Sequence, residues 1–338
     1  MHHQQFVRKC LPALIAAIGA VAGSAEAVTI SRLTPPSNPI NPNATTLARF
    51  LPGQKFDLQA TVRPDAGQRI TAVEFKVDGV SVGTVAGGAA CSDKAFAGNK
   101  GMVPATAITA SVPCAVAASV RGVSFTTAGV HTLTALATQD NGATATATGN
   151  FEVIGIVANN GRPAKNIIVL LGDGMGAAHR TAARIMAKGY AQGKAQGRLA
   201  MDTFPVTGMV MTASLDSIVT DSAPGMANYV TGNKAQNNQE GVFPDDTSDA
   251  FDNPRVEYLS EYLHRTKGTR LGIVTTADVF DATPAANAVH TSNRGNGTGI
   301  VDQYLDDRNL TGLTVLMGGG RKWFLPNSSN STSPQSAN

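Results

Sequence analysis

At 338 residues the chain has room for two domains. Its 27 Lys and Arg against 24 Asp and Glu, a formal charge of +3, exclude the strong bias that would point to nucleic acid or a membrane surface. The longest apolar run, at the N-terminus, is too short to cross a bilayer, so no membrane span is expected.

Residues 1–27 read as a secretory signal peptide. Arg8 and Lys9 precede the run LPALIAAIGAVAG, and the small residues of AEA, ending at Ala27, mark a cleavage site. Cleavage there puts the mature N-terminus at Val28 and implies a secreted or periplasmic protein, with 25 basic residues against 23 acidic. Cys10 leaves with the signal. Cys91 and Cys114 remain as an even pair in an oxidising compartment, and a disulfide between them is expected.

Residues 28–157 have the grammar of strands. FDLQATV, ITAVEFKVDGVSVGTV, VHTLTALATQ and ATATATGNFEVIGI alternate with period two. Asp78-Gly79 is a hairpin turn signal. Short strands without helical periodicity predict an all-β sandwich. The runs VEFKVDGVSVGT and GVHTLTALATQDNGATATATGNFEV resemble bacterial immunoglobulin-like modules, with the cysteine-bearing segment as an insertion. No chemical constellation is present here. The region reads as a spacer or binding module that can fold alone.

Residues 158–165, with the polar NNGRPAK, read as a linker. Residues 166–326 change grammar. NIIVLLGDG is a continuous apolar run typical of a strand buried on both faces of a parallel sheet. A helix over AAHRTAARIMAKGYAQ, an extended TGMVMTAS and the segment SIVTDSAPGMANYVTG follow. VEYLSEYLHRTKG is an amphipathic helix stopped by Gly268. RLGIVTTA and LTVLMGGG read as strands around a helix with Thr283 as its cap. Alternating strands and helices predict an α/β fold with a doubly wound, mostly parallel sheet and a site at the strands' carboxyl ends. Residues 327–338 read as a disordered polar tail. EGVFPDDTSDAFD lacks calcium-loop spacing and reads as a solvated loop.

Asp221 stands directly before Ser222 at a helix start, with Pro224 in the first turn. Ser222 is either an N-cap or a hydroxyl set where backbone N–H groups gather anions. Taking the strand ends in order adds Asp173, Asp281, Thr283 and Arg294. Carboxylate and hydroxyl oxygens suit a hard cation, and a guanidinium grips two phosphate oxygens at once.

The motifs NIIVLLGDGMG and TAARI, LAMDTFPVTGM, VTDSAPGMANYVTG, VTTADVFDATPAANAVHTSNR and LMGGGRKWFLP are similar, in order, to those of the alkaline phosphatase family. The resemblance covers about residues 165–326. It implies hydrolysis of phosphate monoesters with Ser222 as a transiently phosphorylated, metal-activated nucleophile and with Zn2+ and Mg2+ as cofactors. Asp173 would bridge a zinc and the magnesium, Thr283 would ligate magnesium and Asp281 would hold that ion's water. Arg294 would bind the phosphate with help from Asp221. A homodimer is the assembly the resemblance implies. Pro224 and Met226 depart from the small residues usual there, with little effect expected.

The family's remaining metal ligands would lie beyond Asn338, so the chain on its own is expected to hold an incomplete α/β domain and to be inactive or nearly so. His264 reads as a surface residue, His290 as a packing or hydrogen-bonding one, and His179 as a residue near the site with a weak claim on a metal. Two other readings stay open. One is a phosphodiesterase or sulfatase of the same superfamily, against which TDSA and DATPAA favour the monoesterase. The other is a non-catalytic protein in which the front module binds and the α/β part is a remnant.

Overall fold

The computed structural model describes residues 27–37, 48–106, 114–157 and 164–326. The signal peptide, most of the linker and the C-terminal tail expected from sequence lie outside the described residues. No helix among those described is long and apolar enough to cross a membrane.

Period-two alternation builds the front of the molecule. Among the described residues ten strands lie between Thr29 and Val153: β1 (Thr29–Thr34), β2 (Arg49–Phe50), β3 (Phe56–Arg63), β4 (Ile70–Val77), β5 (Val80–Ala86), β6 (Ala95–Ala97), β7 (Lys100–Pro104), β8 (Val116–Val123), β9 (Gly129–Gln139) and β10 (Thr144–Val153). They form two five-stranded sheets, in the orders β1-β3-β8-β7-β6 and β2-β10-β9-β4-β5. Phe56, Leu58, Ala60 and Val62 of the first sheet and Val73, Phe75, Leu133 and Phe151 of the second share one core. The β4–β5 hairpin turns at Asp78 and Gly79, both with positive φ, as the two-residue turn requires. Cys91 and Cys114 are disulfide-bonded with 4.9 Å between their Cα atoms.

The core of this front region is not its own alone. Phe243 and Val256, from far along the chain, belong to the same buried cluster, and the Phe243 ring meets Phe50 edge-on at 6.5 Å. The outer face of β3 is covered too. Asp57, Gln59 and Thr61 are 4%, 2% and 1% exposed, although the alternation of FDLQATV marks them as a solvent face. The covering segment lies within the acidic stretch read as a solvated loop, and that reading is corrected. Gly241 to Pro244 are buried, Asp246 pairs with Arg32, and Asp245 accepts from Gln59. Sequence spacing could not supply partners that lie about 190 residues away.

Behind the sheets lie α1 (Ala177–Lys188), which ends before the Tyr190 to Gln192 stretch expected to be helical, a short hairpin of β11 (Tyr190–Ala191) and β12 (Lys194–Ala195), α2 (Ser222–Thr231), α3 (Leu259–Lys267), β13 (Leu271–Asp278), α4 (Ala282–Ala285), α5 (Gly297–Asp306), α6 (Arg308–Thr311) and β14 (Leu313–Gly319); the hairpin, α5 and α6 were not expected from sequence. β13 and β14 pair in parallel. Ile273, Val289, Ile300 and Tyr304 pack in the core beside them. Among the described α/β elements this two-stranded pair stands where a doubly wound sheet was expected. NIIVLLGDG and TGMVMTAS run without ladder partners, and Ile168, Leu170, Met209 and Met211 are exposed. An apolar run becomes a strand only where a neighbouring strand takes up its N–H and C=O groups, and among the described residues no strand pairs with either run.

Candidate active site

Helix α2 settles what Ser222 does locally. Asp221 is the N-cap: its backbone is extended, and its Oδ1 accepts from the Ala223 N–H at 2.7 Å. Ser222 is therefore the first helical residue, and its hydroxyl is not used as a cap. Pro224 lies within the first turn, where its missing N–H costs nothing, and Gly232 closes the helix in the left-handed conformation. Met226 and Ala227 pack against Ala286, which seats α2 beside α4. The departures at Pro224 and Met226 are accommodated, as expected.

Helix α4 is capped in the same way. Asp281, not Thr283, is the N-cap, accepting from Ala282 N–H at 2.8 Å. Thr283 is thereby free to donate its hydroxyl to Asp173 Oδ2 at 2.8 Å. Asp173, in an exposed loop after the unpaired apolar run, is thus drawn to the start of α4.

Arg294 joins the two caps. Its Nη1 donates to Ser222 Oγ at 3.1 Å and to Asp221 Oδ1 at 3.3 Å, and its Nη2 donates to Asp281 Oδ1 at 2.7 Å. Burial works against the guanidinium's charge, but Asp281 and Asp221 outweigh it and hold its pKa above the ordinary value. The six residues proposed from sequence for this site fall into two groups at the starts of α2 and α4: Arg294 with Ser222, Asp221 and Asp281, and Thr283 with Asp173. Two carboxylates hold one guanidinium, so a phosphate dianion needs further positive charge here.

The alkaline phosphatase family model matches residues 164–337. The chain belongs to the alkaline phosphatase family. It is 35% identical over 195 residues to the tissue-nonspecific alkaline phosphatase of Gallus gallus, covering 52% of this chain and 37% of that protein. It is 42% identical over 185 residues to the streptomycin-6-phosphate phosphatase of Streptomyces griseus, covering 48% of this chain and 38% of that one. Among solved structures, the alkaline phosphatase of the Antarctic bacterium TAB5 is 28% identical over 48% of this chain and 41% of its own, with a TM-score of 0.37. The chain spans well under half the length of the curated relatives it matches.

Among the described residues of this alkaline phosphatase-family chain, no cluster of three His, Cys, Asp or Glu side chains is placed to hold a metal ion. The Asp173 and Thr283 oxygens fit one side of a hard-cation site; no zinc set accompanies them. His179 is exposed, its Nδ1 accepting from Gly176 N–H at 3.2 Å. His264 is half-buried rather than on the surface and bonds Thr269 O. His290 packs and hydrogen-bonds, stacking on Tyr258, with Nδ1 facing Gly241 O at 2.8 Å and Nε2 facing the Glu261 carboxylate at 3.2 Å. A cavity of about 120 Å³ lined by Met211, Thr220, Pro224, Tyr229 and Lys234 touches neither the Ser222 hydroxyl nor Arg294.

Three residues of the site were not legible in the sequence. Asn238, at φ +71, donates its N–H to Asp221 Oδ2 at 2.5 Å and offers its C=O to Arg294 N–H at 3.0 Å. Asn237 Oδ1 accepts from Asp221 N–H at 3.2 Å. Glu240 is fully buried, and neither carboxylate oxygen has a hydrogen-bond partner among the described residues. Burial lifts its pKa well above the ordinary range; Arg294 opposes the rise, while Asp281 and Asp221 add to it. Asn-rich NNQEG carries a turn signal, but nothing in it names its targets.

Proposed function

We propose that the protein is an exported phosphatase that hydrolyses phosphate monoesters through a phosphoserine at Ser222. The observation that carries this reading is Arg294 bridging the Ser222 hydroxyl and the two cap carboxylates. A phosphoryl group set against Ser222 Oγ would exchange Asp221 for its own oxygens as partner of Nη1. The guanidinium then orients the phosphorus for in-line attack. The Ser222 oxygen bonds to phosphorus as the ester oxygen leaves, and water later cleaves the phosphoserine to release inorganic phosphate.

A serine hydroxyl needs a base or a metal to activate it, and no histidine stands in its segment. Asp173 and Thr283 would hold a hard cation such as Mg2+, with Asp281 nearby. Bound divalent cations, Zn2+ among them, would supply Lewis-acid activation of the hydroxyl and offset the carboxylates of Asp173, Asp221 and Asp281. The family resemblance supports this metal dependence, and a homodimer is the assembly it suggests.

The test separates the monoesterase from its superfamily rivals. Protein isolated from its native source and supplied with zinc and magnesium should hydrolyse a chromogenic phosphate monoester. It should leave the matching diester and sulfate ester largely untouched. Preference for the diester or the sulfate would overturn the reading.

A further inference from the structure

The front sheets touch the candidate active site through two buried joints. The first holds the far end of the Ser222 helix. Gln54 Nε2 donates to Thr231 O at 3.0 Å and to Glu257 O at 2.8 Å, while its Oε1 accepts from Leu51 N–H. Two residues past Thr231, Asn233 pairs with the Arg49 backbone like a neighbouring strand. Its Oδ1 accepts from Arg49 N–H at 2.9 Å and its Nδ2 donates to Arg49 O at 2.8 Å. Gln54, Thr231 and Asn233 are all buried.

The second joint is a ladder that walks from β3 to Arg294. Asp57 N–H donates to Arg255 O at 3.0 Å and Glu257 N–H to Lys55 O at 2.9 Å, around a bridge between Phe56 and Val256. The Asp57 carboxylate accepts from Arg255 N–H at 3.0 Å and from Arg121 at 2.9 Å. Val242 bridges Arg255, and Glu240 bridges Thr291 with bonds of 2.8 and 3.1 Å. Gly241, at φ +61, sits so close under Tyr258 and His290 that a Cβ would overlap them. The ladder ends at Asn238, whose backbone ties Asp221 to Arg294.

We infer that the front module is a working part of the catalytic site rather than an appended spacer or binding module. It clamps the Ser222 helix through Gln54 and Asn233. It also fixes the 238–257 arm that sets Asp221 against Arg294. The inference rests on reading Ser222 and Arg294 as the reacting pair. Buried, mutually satisfied polar contacts of this kind give one geometry and exclude others, and a nucleophile misplaced by an ångström loses most of its advantage. Gln54, Asn233 and Asp57 are positioning residues: each acts through the helix or the arm and touches no reacting atom.

The test compares the full chain with its Gln54→Ala variant by amide hydrogen exchange and by turnover of a chromogenic phosphate monoester. Removing two buried donor contacts should speed exchange in segments 222–232 and 238–242 by about tenfold. Segments in β4, β9 and β10 should stay as protected as before. Where turnover is measurable, kcat should fall by at least as large a factor while KM changes little, since Arg294 still meets the phosphate. If Gln54→Ala also loosens β9 and β10, Asn233→Ala carries the same test from the other side of the joint. Arg32→Ala, which breaks only the outer pair with Asp246, should leave both segments unchanged. Unchanged exchange at 222–232 in both Gln54→Ala and Asn233→Ala overturns the clamp. Faster exchange with undiminished kcat overturns its catalytic role. Faster exchange, with protein isolated from its native source turning over no phosphate ester under any metal, leaves the clamp standing and removes the catalytic reading beneath it.

Discussion

The Arg294 guanidinium donates to the Ser222 hydroxyl across 3.1 Å, although 72 residues separate the two in sequence. Two helix caps make that meeting possible. Asp221 and Asp281 each cap a helix with one contact and hold Arg294 with another. The opening choice between cap and nucleophile dissolves, because the cap is the residue before.

Arg294→Ala should weaken binding of inorganic phosphate by about 2–3 kcal/mol, the scale of a lost charge-assisted pair. Arg294→Lys should recover only part of this, because a point charge cannot reach Asp221 and Asp281 in one fork. Competitive inhibition by inorganic phosphate measures both. Full recovery by lysine would show that charge alone suffices.

Asp221→Ala should cost about 1 kcal/mol of stability through the lost cap. It also releases Asn238 N–H and one contact of Arg294. Urea unfolding measures the loss, and Asp221→Asn should retain most of the cap. An unchanged midpoint in the alanine variant would contradict the capping geometry.

Glu240 gives a pH signature. Its folded pKa lies well above the ordinary 4.5, so the folded chain holds that proton more tightly than the unfolded one. The stability this contributes is full below the unfolded value and is lost as pH rises toward the folded one. Glu240→Gln copies the protonated shape without the proton. Relative to wild type it should gain stability steadily from about pH 4.5 upward. Urea midpoints of the two proteins across that range make the comparison, and a constant difference would contradict a buried, protonated Glu240.

Phe243→Ala should destabilise the front sheets by about 3–5 kcal/mol, as for other buried phenylalanines. The ring fills their core from a distant segment. Unfolding followed through a β-sheet signal would register it. A loss below about 1 kcal/mol would mean that the sheets carry their own core.

Legibility followed the range of the causes. The hairpin at Asp78 and Gly79, strands β3, β4, β5, β9 and β10 and the Gly268 stop of helix α3 depend on local periodicity and turn chemistry, and the sequence reading matches them; β1, β2 and β6 to β8 were not read from sequence. Ser222, Asp281, Thr283 and Arg294 were singled out at the ends of the expected strands, and the family-ordered motifs gave them roles. Period two correctly predicted that Asp57, Gln59 and Thr61 share a face, but it could not show that an acidic segment far along the chain would cover it. Asn238 and Glu240 were missed for the same reason: their partners, Asp221, Thr291 and Arg294, are set by tertiary packing. The apolar runs at Ile167 to Leu171 and Met209 to Met211 carry strand composition, yet strand formation depends on a neighbour that composition does not name.

The central claim is that Ser222 takes the phosphoryl group. It is tested most directly by quenching the protein in acid during turnover of a phosphate monoester and mapping the modified residue by tandem mass spectrometry. The expected result is phosphoserine at Ser222 alone, with both the modification and the turnover gone in Ser222→Ala. Turnover that survives in Ser222→Ala, or a phosphoryl group carried on any other residue, would contradict it.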